Sequence, residues 1–342
     1  MNIKDQILDI AKKQKVFKAS DVMEKIPDMS RQYISRVISE LYSDGALIRE
    51  GSGRWSTYAL PEHRDLLAHR LRRRLVLKNL KEHEVLDDIM RVSVLLKKVP
   101  ENIRSIFNYA FSEMLNNAID HSQSKDCVIE VIEEDDRLKF VVDDYGVGVF
   151  KNVMNERGLN SELEAIQDIL KGKTTTLPQA HSGEGIFFTS KAADIFTLES
   201  YGLRLRIDNT LPDIFIEKMD RQKTGTRVTF EVSTKSKKHL TDLFAKYQTS
   251  MENPAFDKTE IKIKLYIMGT VNVSRSQARR VLSGLDRFST IVLDFENVPT
   301  IGQAFADEIF RVFTNAYPEI SIQHVNANEA VDFMITRAIS TK

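Results

Sequence analysis

One stretch, Phe111-Ser112-Glu113-Met114-Leu115-Asn116-Asn117-Ala118-Ile119-Asp120-His121, constrains this chain more than any other. Read as a helix, it places Glu113, Asn117 and Asp120 four and three residues apart, on one stripe. Met114, Leu115, Ala118 and Ile119 fall on another face, suited to a core. A carboxylate and a carboxamide one turn apart can hold a hard cation and a water together. The amide oxygen suits Mg²⁺, and the carboxylate can take a proton from an attacking hydroxyl. Taken alone, the same pattern also fits an ordinary helix at the edge of a core.

Two glycine elements downstream narrow the choice. In Val141-Val142-Asp143-Asp144-Tyr145-Gly146-Val147-Gly148 a hydrophobic strand runs into Asp-x-Gly-x-Gly. An Asp at a strand end can accept from an exocyclic amine, and the glycines let the backbone turn beside a ligand. In His181-Ser182-Gly183-Glu184-Gly185-Ile186-Phe187-Phe188 a Gly-x-Gly turn opens onto an apolar run. If that run is a helix, its first N–H groups can face a phosphate. A further pair, Gly225-Thr226, precedes the strand Arg227-Val228-Thr229-Phe230.

These elements, in this order, resemble the Bergerat-fold (GHKL, histidine-kinase-like) ATP-binding family of gyrase, MutL and the sensor-kinase catalytic domains. Glu113 and Asn117 match its N box. Asp144, Gly146 and Gly148 match its first glycine box, Gly183 and Gly185 its second, and Gly225-Thr226 its last element. The resemblance covers about residues 95 to 235. It implies that Asp144 contacts the adenine amine, that Asn117 ligates Mg²⁺, and that residues 149–182 form a mobile lid over the phosphates. Asp120, Lys173, Ser182, Glu184, Ile186 and Thr226 complete the expected ATP site. Lys171 and Lys173 are lid lysines that could reach a γ-phosphate; plain solvated lysines are the alternative.

The composition sets outer limits. The 342 residues suffice for two or three domains, with 42% hydrophobic and 29% charged residues as in ordinary globular proteins. The formal net charge is zero, so any affinity for nucleic acid or membrane must be local. The single cysteine, Cys127, begins the apolar run Val128-Ile129-Glu130-Val131-Ile132 and reads as a small strand residue. No 18-residue apolar stretch and no signal peptide are evident, so the expected location is cytoplasmic, without a membrane partner.

Residues 1–60 read as three helices and a hairpin. The first helix covers 2–14, and a loop follows at Val16 and Phe17. Ser20-Asp21 caps the second helix and Ser30 the third. The strands 46–50 and 54–60 flank the turn Gly51-Ser52-Gly53. This order resembles a winged helix of the bacterial transcription-factor kind. The resemblance implies DNA binding through Arg31, Gln32, Tyr33 and Arg36 at the start of the third helix, with Arg54 at the wing. Residues 1–60 carry 10 Lys+Arg against 8 Asp+Glu, which is thin for tight DNA binding, so docking to a protein stays open. Residues 61–94 read as a basic helical connector. His83-Glu84 within it lies too close to the N box for a sensor-kinase phospho-acceptor.

Residues 95–250 correspond to the Bergerat α/β sandwich. From 258 to 342 strands and helices alternate, which argues a small α/β domain. Its run Val292-Leu293-Asp294-Phe295-Glu296-Asn297-Val298-Pro299-Thr300-Ile301-Gly302 resembles the centre of a STAS domain, the anti-anti-sigma-factor fold. The phosphorylated serine of that family is absent, since the loop continues Gln303-Ala304-Phe305, and Thr300 is the nearest hydroxyl. The expected class is therefore multidomain α+β: winged helix, ATP-binding sandwich, STAS-like domain.

Glu113 separates the chemistries of the family. Sensor kinases usually carry Asn there, whereas ATPases and anti-sigma-factor serine kinases keep a Glu that activates water or a serine hydroxyl. The expected activity is thus Mg-ATP binding or turnover in a transcriptional or stress regulator. A serine/threonine kinase acting on a STAS protein in trans and a nucleotide-gated homodimer are the alternatives. A partner of sigma or anti-sigma type follows from the first two.

Overall fold

A computed structural model describes residues 2–50, 56–63, 70–93, 96, 99–134, 136–173, 183–249, 256–266 and 274–340. The architecture is mixed α/β with several sheets. The chain divides into two compact units: residues 1–149 with 192–237, and residues 150–191 with 238–342. Among the described residues, no helix is long and apolar enough to cross a membrane.

The first unit begins with α1 (Ile3–Gln14), β1 (Val16–Lys18), α2 (Ala19–Lys25) and α3 (Arg31–Ser43), followed by β2 (Ile48–Glu50) and β3 (Thr57–Ala59). Apolar residues at helical spacing on α1 and α3 meet over Ile7, Ala11, Phe17, Val22, Ile34, Val37, Ile38 and Leu41. Ser30 caps α3 as expected, its Oγ accepting from Tyr33 N at 3.3 Å. The start of α2 differs. The helix begins at Ala19, and Asp21, three residues past Lys18, accepts from Lys18 N at 2.8 Å. The segment expected as a loop at Val16 and Phe17 is a strand, which joins the sheet in the order β1-β3-β2, all antiparallel.

The expected helical connector is helical only in part: Pro61–His63 form a 3₁₀ turn and residues 82–92 a helix, but its arginine-rich middle is a strand. Residues 70–76 form β4 (Arg70–Val76), an edge strand antiparallel to β5 (Asp126–Glu134). Its arginines find carboxylates across the ladder. Arg70 Nη2 lies 2.5 Å from Glu130, and Arg74 Nη2 lies 2.7 Å from both oxygens of Asp126. Arg73 faces Asp88 of α4 (Glu82–Val92) at 3.8 Å. A run so rich in arginine reads as a solvated helix in isolation. Cross-strand pairing with a neighbour distant in sequence decides otherwise.

The unit's larger sheet runs β4-β5-β6-β8-β7, all antiparallel, with β6 at Arg137–Asp144, β7 at Ile195–Asp208 and β8 at Asp213–Ser233. The long helix α5 (Glu101–His121) packs on it. Phe107 and Phe111 of α5 meet Phe140 of β6 edge-on at 5.6 and 5.4 Å, and Phe140 stacks on Phe230 of β8 at 4.9 Å. β7 folds back on itself at Tyr201-Gly202. Asn209 N donates to Asp194 O at 2.8 Å, and Arg204 Nε donates to Glu199 at 2.7 Å, so its two halves run side by side. Tyr201 takes φ +50° to make that turn.

The second unit holds α6 (Val149–Glu156, from Phe150 on), α7 (Glu162–Lys171), most of α8 (Gly185–Ala192) and α9 (Leu240–Lys246). They accompany a parallel sheet in the order β11-β10-β9, with β9 at Lys258–Lys262, β10 at Thr290–Asp294 and β11 at Ser321–Val325. The helix α10 (Arg275–Leu282) comes between β9 and β10 in sequence, and α12 (Glu329–Ser340) follows β11. Between them lies α11, which runs Gln303–Asp307, widens into a π-helical stretch Glu308–Phe313 and closes at Thr314–Ala316. The alternating pattern of residues 260–266 does not continue as one strand. β9 stops at Lys262, and a 3₁₀ turn (Ile263–Tyr266) buries Ile263, Leu265 and Tyr266.

Candidate functional site

The site is built around Asp144, the last residue of β6. Strand alternation sends Asp143 and Asp144 to opposite faces, and both are buried. Asp143 is neutralised by Arg227 Nη2 at 2.6 Å and Lys223 Nζ at 2.9 Å. Asp144 is held differently. Its Oδ1 accepts from Gly146 N at 2.9 Å and Thr226 N at 3.1 Å, while among the described residues no donor reaches its Oδ2. Burial raises its pKa above the usual carboxylate range, opposed by those two backbone amides and by Lys223. A group with hydrogens to donate could bond the Oδ2 oxygen.

Glycine is required at each contact around this carboxylate. A Cβ on Gly225, at φ +77°, would lie 2.5 Å from both Asp144 O and Oδ1 and 2.6 Å from Gly146 N. A Cβ on Gly146 would sit 1.7 Å from Ser122 O, at the end of α5. Ser122 O also accepts from Val147 N at 2.8 Å, so the end of α5 and the glycine loop are tied by backbone. Gly148, at φ +81°, lies against Ser200 and the ring of Tyr201. Thr226 closes the arrangement, its Oγ1 accepting from Val149 N at 2.9 Å.

On α5, Glu113 and Asn117 are half-buried on one stripe and Asp120 is exposed in the last turn. The Nδ2 of Asn117 is buried without a hydrogen-bond partner. An unsatisfied carboxamide costs about 1–3 kcal/mol, which marks it as a group built for a further contact. Among the described residues, no three His, Cys, Asp or Glu side chains gather to hold a metal ion. A cation here would therefore depend on Asn117 and on oxygens that a ligand brings.

The remaining candidates belong to the second unit. Gly183, Glu184, Gly185 and Ile186 lead into α8, with Gly183 at φ +75° and Glu184 O accepting from Phe188 N at 2.9 Å. Phe187 and Phe188 anchor that helix in an aromatic cluster. Phe187 lies 4.8 Å from Phe256 and 4.9 Å from Tyr247, and Phe188 lies 4.7 Å from Phe244. The expected lid is corrected over its described part. Residues 150–173 are packed structure, with Gln167 Nε2 donating to Leu265 O at 2.7 Å and Thr259 Oγ1 to Lys171 O at 2.7 Å. The two lysines offered for phosphate are engaged: Lys171 Nζ donates to Arg280 O and Ser283 O, and Lys173 Nζ to Arg287 O at 2.9 Å. Ser182 lies outside the described residues, as do Arg54 and the wing turn.

On α3, Arg31, Gln32 and Arg36 are exposed and Tyr33 is half-buried beneath the Arg36 guanidinium, 5.2 Å from its centroid. Gln32 and Arg36 lie on the side away from the buried Ile34, Val37 and Ile38, whereas Tyr33 packs against that core. Lys223, Ser122 and Ser200 were not among the expected site residues. The adjacent pair Asp143-Asp144 was the available signal for Lys223, because two buried carboxylates in one strand demand a cation.

A family model described as a STAS-like domain of unknown function (DUF4325) matches residues 277–332. Among curated proteins, none matches the chain. The C-terminal α/β part therefore carries a STAS-like domain, as its Asp294-centred run suggested.

Proposed function

We propose that this protein is an ATP-binding regulator in which a histidine-kinase-like (Bergerat) site controls an N-terminal winged helix and the C-terminal STAS-like domain. One observation carries the reading. Asp144 is buried, its Oδ1 is fixed by two backbone amides, and its Oδ2 is left for an outside donor. An adenine exocyclic amine is such a donor, and the glycines at 146 and 225 let the backbone close tightly around the carboxylate.

The ATP reading gives the Mg²⁺ ion to the Oδ1 of Asn117, and leaves its Nδ2, buried without a partner, as a donor for a ligand oxygen. Bound Mg²⁺ would neutralise phosphate charge. Glu113, one turn earlier, would accept a proton from the attacking water or hydroxyl. The glycine turn 183–185 is built into the same unit as the STAS-like domain through Phe187 and Phe188, so a ligand that orders this turn acts on that unit. The exposed face of α3 supports a DNA-reading output.

Incubation of the full chain with γ-labelled ATP and Mg²⁺ tests the reading, following free phosphate and protein-bound label together. Free phosphate supports a hydrolytic switch. Label on the chain, or on an added STAS protein, supports a serine/threonine kinase. ATP-dependent dimerisation with phosphate release identifies a nucleotide-gated dimer. No binding of ATP at millimolar concentration sinks the proposal. Duplex DNA binding at physiological salt, absent in a chain with Arg31 and Arg36 both replaced by Ala, tests the output.

A further inference from the structure

The second unit holds a cluster of charged side chains that the proposed function does not use. Gly284 lies just after α10 at φ +71°. A Cβ built there would meet Arg287 Nη2 at 2.8 Å and Arg157 Nη2 at 3.3 Å. Two guanidinium groups, from chain positions far apart, therefore converge over a residue that has no side chain.

Arg287 is fixed in place by its other nitrogens. Nη1 donates to Lys173 O at 2.6 Å and Nε to Gly284 O at 3.1 Å. Its Nη2 is buried and has no hydrogen-bond partner. Two lysines stand beside it. Lys173 Nζ donates to Arg287 O at 2.9 Å, and buried Lys171 donates to Arg280 O and Ser283 O. Carboxylates face the group from several elements. Asp168 is buried and lies 3.3 Å from Arg157 Nε. Glu164 faces Arg280 at 3.7 Å, Asp286 is exposed, and Asp257 and Glu184 are half-buried near Lys173. Burial, and then the neighbouring Arg157, hold the Arg287 guanidinium below its ordinary range, and burial pushes Lys171 down to about 8.

We propose that Arg157 and Arg287, converging over Gly284, form a binding site for a phosphate oxyanion. Guanidinium groups present paired N–H donors that match phosphate oxygens, and a dianion balances two of them where a carboxylate balances one. The partly exposed Arg157 gives the anion a way in from solvent, while Arg287 Nη2 supplies the buried donor it would satisfy.

The probe is inorganic phosphate, titrated into the full chain without nucleotide and compared with sodium chloride at equal ionic strength. Calorimetric binding and thermal midpoints are read together. Phosphate should bind and raise the midpoint by several degrees, while chloride does neither. Arg157→Gln leaves the backbone bonds of Arg287 intact and should weaken phosphate binding at least tenfold, with Arg287→Gln as a second variant. Asp144→Asn should bind phosphate as the wild type does, which separates this site from the nucleotide reading. Tripolyphosphate binding more tightly than phosphate at equal ionic strength would identify a polyphosphate tail as the ligand, and the reverse order a free monophosphate. Equal phosphate affinity in wild type and Arg157→Gln, or an equal response to chloride, overturns the proposal.

Discussion

Replacing Gly225 by Ala should cost far more than the same replacement at Gly158. Both residues are left-handed, with φ +77° and +61°, so each alanine carries the intrinsic strain of about 1–2 kcal/mol. Around Gly158 nothing lies within 4 Å of the added methyl, and the cost stops there. At Gly225 the methyl meets Asp144 O and Oδ1 at 2.5 Å and Gly146 N at 2.6 Å. Relief requires a shift of about half an ångström in backbone and carboxylate. That shift breaks or stretches the bonds from Gly146 N and Thr226 N to Asp144 Oδ1. Each is a hydrogen bond to a charged group, worth about 1.5–3 kcal/mol. The expected total is about 4 kcal/mol for Gly225→Ala against about 1–2 kcal/mol for Gly158→Ala, with the same shift displacing Asp144. Urea unfolding of both variants, read with ATP affinity, measures the contrast. Equal destabilisation, or Gly225→Ala with undiminished ATP binding, would refute the view that the glycine frames the carboxylate.

Three further outcomes follow. Burial pushes Glu50 up to about 7, opposed by Arg73, so protonation favours the folded state. The stability that protonation provides is complete below about pH 4.5 and lost as pH rises through 7. Glu50→Gln should then raise the melting midpoint at pH 8 and leave it unchanged at pH 4.5, and an equal effect at both contradicts the assignment. Phe187→Ala empties a buried position in the aromatic cluster and should cost about 3–5 kcal/mol in urea, whereas a loss under about 1 kcal/mol would mean the cluster does not anchor α8. Glu113→Ala should retain ATP binding and lose phosphate release or transfer; turnover at the wild-type rate would remove Glu113 from the chemistry.

Much of the local structure was legible because it is written at short range. The Glu113, Asn117 and Asp120 stripe, the Ser30 cap and the strands leading to Asp144 all rest on contacts within a few residues. What was misread depends on partners distant in sequence. β4 looked helical because the carboxylates that neutralise its arginines, Glu130 and Asp126, come from a strand more than fifty residues later. Lys171 and Lys173 looked free because the carbonyls that accept from them belong to residues 280–287. Residues 150–173 looked like a lid because polar lysines and glycine hide how α7 buries Ala165, Ile166 and Ile169. The C-terminal domain was readable from its strand–helix alternation and its Asp294 run, even with the phospho-acceptor serine missing.

The most direct test of the account is the equilibrium affinity of the purified full chain for Mg-ATP, measured by calorimetry in parallel with Asp144→Asn. The exchange keeps the shape of the side chain but puts an amide in place of a buried carboxylate that holds two backbone N–H groups and leaves Oδ2 for a donor. The account predicts ATP binding by the wild type and a loss of about 1.5–3 kcal/mol, roughly ten- to a hundredfold, in the variant. Equal affinity in the two proteins, or no binding by the wild type, would contradict it.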